Sequence, residues 1–338
     1  MKTIDCPEHE TFQAALRGAR VRYVLRARQQ RNWRLVRATL DGVGVMAGRE
    51  GAANVCSGAA TAGNFNAFFS LDDGEPFTVD GHRLEVDKVA WMAPDCTFHC
   101  ASVRPASWLR ITLPVDMVTS WFACHEEQCD PALLTGNRVE KSNLPAAPLI
   151  RLAQGVLELD ATGEKTLRGY ARRSEARLKL LDAVLRTVVP VAGASRQRPQ
   201  VRHAPHILDR ALAFIASRKE AQIHIADLCR ATGVSERTLR NVFYRNFGMS
   251  PHQYLMVGRL HDVRERLRNA GPGAKVSGIC ADFGIWDFGR FAGQYRGLFG
   301  VLPSQELAAR RGEMPQARPS RAATRRPSVV RGYSPKQT

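Results

Sequence analysis

The chain has 338 residues, enough for two domains, with 44% hydrophobic residues and a formal net charge of +17 from 49 Lys and Arg against 32 Asp and Glu. No stretch approaches the roughly eighteen uninterrupted apolar residues of a membrane span. The first residues, MKTIDCPEHETFQAALRGAR, lack the apolar core of a secretory signal, so a cytoplasmic chain is expected. A surplus of basic residues rich in Arg points to a polyanionic partner, nucleic acid or an acidic membrane surface.

Eight cysteines are scattered along the chain, which favours reduced thiols over a disulfide framework. Residues 1–145 read as β-rich, with short alternating runs at NWRLVRATL (32–40), FTVDGHRLEVDKVAWMAP (77–94) and SWLRITLP (107–114). Asp-Gly pairs at 41–42, 73–74 and 80–81 are hairpin signals, because Gly tolerates a positive φ. Many short strands closed by such turns predict a small sandwich or barrel.

No enzyme chemistry is legible in this half. In CTFHC, Cys96 and Cys100 would share one face of a strand about 13 Å apart, too far to chelate one metal without a bend. HEEQC (125–129) lacks the second His of a zinc-protease helix, and GVGVMAG (42–48) is not a dinucleotide loop. No catalytic set, metal or cofactor is therefore expected.

The period turns helical over 146–189. Leu167, Tyr170, Ser174, Leu178, Leu181, Leu185 and Val188 make one stripe at three- and four-residue steps. That stripe packs either on its own domain or on a second copy of the chain. Residues 190–205, with Pro, Gly, Ser and Arg and no period, read as a linker. The Pro- and Arg-rich residues 311–338 read as a disordered basic tail.

Residues 206–310 contain one device twice. After a support helix at HILDRALAFIASR comes a short helix carrying Ile225, Leu228 and Cys229, ended by Gly233. Ser235 then caps ERTLRNVFYRNF, whose buried side is Leu239, Val242, Phe243 and Phe247. This is the plan of a helix-turn-helix. Arg237, Arg240 and Asn241 lie opposite the apolar stripe, and their side chains suit guanine, guanine and adenine edges in a major groove. The second copy has Val276, Ile279 and Cys280, then Gly284 at the turn and Asp287 as cap. Its stripe is Phe288, Phe291, Tyr295 and Phe299. Gly248 and Gly300 end the two second helices, and Pro251 and Pro303 each follow three residues later. Gly289, Gly293 and Gly297 leave the outer side of the last helix bare.

The lines ADLCRATGVSERTLRNVFYRNFGMSPHQYLMVGRLHDVRERL and ICADFG with YRGLFGVLPSQ resemble the DNA-binding domain of the AraC/XylS family. The resemblance implies an α+β chain of two domains. Its parts would be a cupin-like or jelly-roll sensing half with a helical dimerisation region, and seven C-terminal helices holding two helix-turn-helix units. It implies a sequence-specific transcriptional regulator, nucleoid-associated, that reads successive major grooves as a homodimer. RNA polymerase and a small-molecule effector are further partners of such a regulator. Arg237, Thr238, Arg240 and Asn241, then Phe288, Gly289, Arg290, Ala292 and Gly293, take the DNA-facing positions. The sequence departs from the commonest family pattern, which has Ser near 289 and Arg at 293. The alternative reading is a structural DNA-binding protein of weak specificity.

Overall fold

The computed structural model describes residues 2–29, 33–72, 77–125, 131–162, 167–189, 204–218 and 223–312. In chain order the N-terminal part is β1 (Lys2–Cys6), α1 (His9–Ala15), β2 (Ala19–Leu25), β3 (Trp33–Leu40), β4 (Val43–Arg49), β5 (Asn54–Ala60), β6 (Asn64–Ser70), β7 (Phe77–Val79), β8 (His82–Leu84), β9 (Lys88–Met92), β10 (Thr97–Ser102) and β11 (Ser107–Pro114). It continues with α2 (Val115–Cys124), α3 (Pro131–Thr135), β12 (Arg138–Lys141), α4 (Ala146–Thr162) and α5 (Leu167–Val188).

Two of the Asp-Gly pairs make the tight hairpins that their residue types favour. Asp41 and Gly42 join β3 to β4 with φ of 42° and 94°, and Asp80 and Gly81 join β7 to β8 with 48° and 76°. Two successive positive φ values match the right-handed twist of the flanking strands. The pair at 73–74 lies outside the described residues.

The strands form two antiparallel sheets, ordered β1-β3-β4-β11-β6-β9-β12 and β2-β5-β10-β7-β8. Alternation along each strand sorts its side chains between two cores. On β11, Trp108 belongs to the core between the sheets, whereas Leu109, Ile111 and Leu113 face the helices behind the larger sheet. Between the sheets Phe12, Tyr23, Trp33, Phe68 and Trp108 pack ring against ring at 5.1–6.2 Å. Glu50 is buried among them and accepts hydrogen bonds from Tyr23 Oη (3.0 Å), Trp108 Nε1 (2.9 Å) and Asn54 Nδ2 (2.6 Å). Burial raises its carboxyl to about 6 even against those three donors.

Helices α2, α4 and α5 cover the other face of the seven-stranded sheet. The buried side of α5 differs from the stripe expected from the sequence. Tyr170 and Leu178 are exposed, and Ala176, Leu180, Leu181, Val184, Leu185 and Val188 do the packing. A period of 3.6 residues leaves two adjacent lines to choose between. The sheet takes the one on which Leu180 and Val184 stand beside Leu181 and Leu185. Arg173 donates to Thr39 O (3.0 Å) and Arg177 pairs with Asp41 (3.8 Å), which ties α5 to the first hairpin.

The C-terminal part is α6 (Ala204–Ser217), α7 (Ile225–Thr232), α8 (Glu236–Phe247), α9 (Pro251–Arg268), α10 (Val276–Asp282), α11 (Phe288–Phe299) and α12 (Pro303–Arg310). Most of the linker, 190–203, and the tail, 313–338, lie outside the described residues. This helical part is docked on the outer face of the five-stranded sheet. Phe247 meets the His99 ring edge-on at 5.8 Å, Thr78 Oγ1 donates to Asn246 O (3.4 Å), and Arg26 Nη2 donates to Gly248 O (3.0 Å). Arg22 pairs with Asp262 (2.6 Å), and His99 Nε2 lies 2.9 Å from Asp209. The contact with α8 uses its C-terminal end and leaves Arg237, Thr238, Arg240 and Asn241 in solvent.

Candidate nucleic-acid interface

Each helix-turn-helix unit is held by local chemistry. Helix α7 opens with His224 N–H donating to Asp227 Oδ2 (2.9 Å), and Asp227 also pairs with Arg230. The donated backbone N–H, then the Arg230 charge, holds the Asp227 carboxyl below its usual range. Gly233 ends α7 at φ 71°, where a side chain would be strained. Ser235 Oγ then accepts from Thr238 N–H (3.2 Å) and starts α8, which ends at Gly248 with φ 61°.

The buried side of α8 is Leu239, Val242, Phe243 and Phe247. Phe243 and Phe247 pack on Tyr254 of α9 at 5.5 and 5.2 Å. With that side fixed, Arg237, Thr238, Arg240 and Asn241 all stand in solvent. Arg240 Nη2 donates to Glu236 Oε1 (2.9 Å) one turn back, which holds its guanidinium over the start of the helix. The side chains of Arg237 and Asn241 make no hydrogen bond or ion pair among the described residues.

The second unit repeats this with one more residue between the turn glycine and the cap. Gly284 has φ 65°, Asp287 Oδ1 accepts from Arg290 N–H (3.0 Å), and α11 ends at Gly300 with φ 80°. Phe291, Tyr295, Leu298 and Phe299 are buried. Phe288 is not: it is 42% exposed, and Trp286 just before it is 74% exposed. Phe288 follows the cap directly and lies past the edge of the core, so three aromatics hold this helix where four were expected. Gly289, Arg290 and Gly293 are all exposed. A side chain at Gly293 or Gly297 would meet nothing within 4 Å, and at Gly289 only Asp287 Oδ1 at 3.8 Å. Between α9 and α11 runs a groove of about 400 Å³, lined among others by His252, Met256, Arg259, Trp286, Arg290 and Gln294.

Counted from their caps, Ser235 and Asp287, the twelve-residue helices α8 and α11 can be compared position by position. Arg237 then corresponds to Gly289, Thr238 to Arg290, Arg240 to Ala292 and Asn241 to Gly293. The first helix offers three groups able to hydrogen-bond base edges where the second offers two glycines and an alanine. No cluster of His, Cys, Asp and Glu among the described residues could hold a metal ion, and no described helix is long and apolar enough to cross a membrane.

Sequence reasoning did not find the residues that dock the two parts. Helix α9 places His261 beside β2, and Arg264 and Arg268 beside Glu8, Glu10 and Glu306. Arg264 is only 2% exposed. In the sequence it is one of several Arg in HDVRERLRN, and nothing local marks it as buried.

A family model described as a helix-turn-helix domain matches residues 228–309. Over 104 residues the chain is 33% identical to a probable thc operon regulatory protein of Rhodococcus erythropolis, covering 30% of this chain and 31% of that protein. Over 100 residues it is 31% identical to a XylDLEGF operon transcriptional activator of Pseudomonas putida, covering 29% and 31%. The match thus spans about a third of the length of these curated relatives. Among solved structures, the AraC-like transcriptional activator CuxR aligns over 83% of this chain and 99% of its own. The identity there is 15% and the TM-score 0.40, a likeness too slight to bear on function. Together with the repeated capped helices, these matches identify residues 228–309 as a helix-turn-helix domain similar to those of AraC/XylS-type regulators.

Proposed function

We propose that the protein is a sequence-specific transcriptional regulator that reads two successive major grooves with α8 and α11. The observation that carries this reading is the outer side of α8. Arg237, Arg240 and Asn241 stand free of the core on a helix whose other side is locked, with Arg240 held by Glu236. Arg suits the O6 and N7 of guanine and Asn the N6 and N7 of adenine, while Thr238 lies beside them and Arg290 is its counterpart on α11. The name of the P. putida relative favours activation as the direction of control. The β-rich half, read as cupin-like, would carry the effector site, and α4 and α5 the homodimer contact. RNA polymerase would be a further partner.

A second reading, a structural protein of weak specificity, is favoured by the bare outer side of α11. Competition between a selected site and random duplex at physiological salt separates the two. A specific regulator keeps a ratio of at least about 10³, and Arg240→Ala should lower affinity for the selected site by about 1–3 kcal/mol. A ratio near one would leave the structural reading standing.

A further inference from the structure

Helix α11 has lost the hydrogen-bonding positions of α8 but kept an exposed aromatic. Phe288 occupies its first position, 42% exposed, with Ala292 on the next turn. Arg290 and Arg296 are the exposed long polar side chains of α11, and the backbone N–H of Arg290 is tied to the cap. Around Phe288 and Ala292 the helix surface is stripped to backbone, because Gly289 and Gly293 present no Cβ and border open space.

We infer, on the reading that the protein binds DNA specifically, that α11 recognises thymine through its C5-methyl group, with Phe288 as the reader and Ala292 beside it. The residues at the N-terminal end of a recognition helix are those that reach base edges. Of the groups in the major groove, the thymine methyl is the one that apolar side chains such as Phe and Ala contact. An exposed phenyl ring in water is unfavourable, and contact with a methyl removes apolar surface from both partners. The missing Cβ atoms at 289 and 293 remove the bulk that would hold the helix back, so a short side chain such as Ala292 can reach the groove floor. The operator is then asymmetric in chemistry: guanine and adenine edges read by α8, thymine methyls read by α11.

The test begins with a site selected from a randomised duplex pool using the full chain. Each thymine is then replaced singly by uracil, which removes the methyl and leaves every hydrogen-bonding group in place. One or two replacements in the α11 half should weaken binding about 3- to 10-fold, while those in the α8 half change it less than twofold. In Phe288→Ala, whose melting temperature confirms folding because the residue is exposed, the same uracil substitutions should have no further effect. Selective binding that is indifferent to uracil throughout the α11 half overturns the inference and leaves the regulator reading intact. Uracil sensitivity that persists in Phe288→Ala overturns the assignment to that residue. A pool that yields no preferred site overturns the regulator reading, and the inference falls with it.

Discussion

His261, on the helix that joins the two helix-turn-helix units, accepts a hydrogen bond through Nε2 from the backbone N–H of Leu25 at 2.9 Å. The bond joins the C-terminal domain to the edge of the five-stranded sheet, and it requires that Nε2 carry no proton. Enclosure between the domains, then the neighbouring His9, Arg22 and Arg264 against the opposing pull of Glu10, holds the imidazole well below its usual range. The His9 ring stands edge-on to it at 5.1 Å.

A pH dependence of known sign results. Below about pH 6.5 the unfolded chain binds a proton at His261 that the native chain does not. The contribution of this residue is fully present above that value and is lost as pH falls toward the lower native pKa. Thermal melts of the full chain from pH 7.5 to 5.5 should show a falling midpoint. His261→Gln, which keeps an acceptor and cannot titrate, should flatten that fall by about one proton. An equal slope in the variant would remove His261 as its source.

Arg264 closes a second interdomain contact, 3.1 Å from Glu8, 2.9 Å from Glu10 and 3.5 Å from Glu306. Arg268 adds bonds of 2.5 Å to both Glu8 and Glu306. Burial alone would raise the Glu10 carboxyl, but the His9 hydrogen bond and the His9, Arg264 and Arg268 charges bring it down to about 2. Arg264→Ala leaves these carboxylates facing one another with Arg268 as their remaining strong partner. Removing one member of a buried ion pair costs about 3–5 kcal/mol, to be read by urea denaturation. A loss under about 1 kcal/mol would mean that the cluster behaves as a surface pair.

Much of the C-terminal domain is legible in the sequence because its signals are local. Ser235 before an apolar stripe, Gly233, Gly248 and Gly300 at positive φ, and Pro251 opening a helix each act within a few residues. The sandwich is less legible. Strand β5, NVCSGAA, carries little β-branched or aromatic bulk, and it is placed by its partners β2 and β10 rather than by its own pattern. The docking of one domain on the other is not legible at all. Its contacts pair residues more than 100 positions apart, such as Glu8 with Arg264, Leu25 with His261 and His99 with Asp209. Phe288 departs from the sequence pattern for a related reason. It falls in phase with Phe291, Tyr295 and Phe299, yet it sits one residue past the cap, beyond the reach of the core that buries the others.

The two caps offer a matched pair of variants. Ser235→Ala and Asp287→Ala each remove the side-chain acceptor for one backbone N–H at the start of a recognition helix. Each should cost about 1 kcal/mol of stability. Under the proposed function the N-terminal turn of each helix meets base edges, so DNA affinity should fall in both while the remaining sequence preference keeps its pattern. Circular dichroism melts alongside binding titrations measure the two effects, and unchanged melts would contradict the capping role.

Under the proposed function, α8 and α11 occupy successive major grooves on one face of the DNA. Methylation interference at guanine N7, with missing-thymine interference for the other half, maps this on the selected site. Two clusters of sensitive positions are expected about one helical turn apart, roughly 10 base pairs, with guanine effects confined to the half facing α8. A single cluster, or effects spread evenly along the duplex, would contradict it.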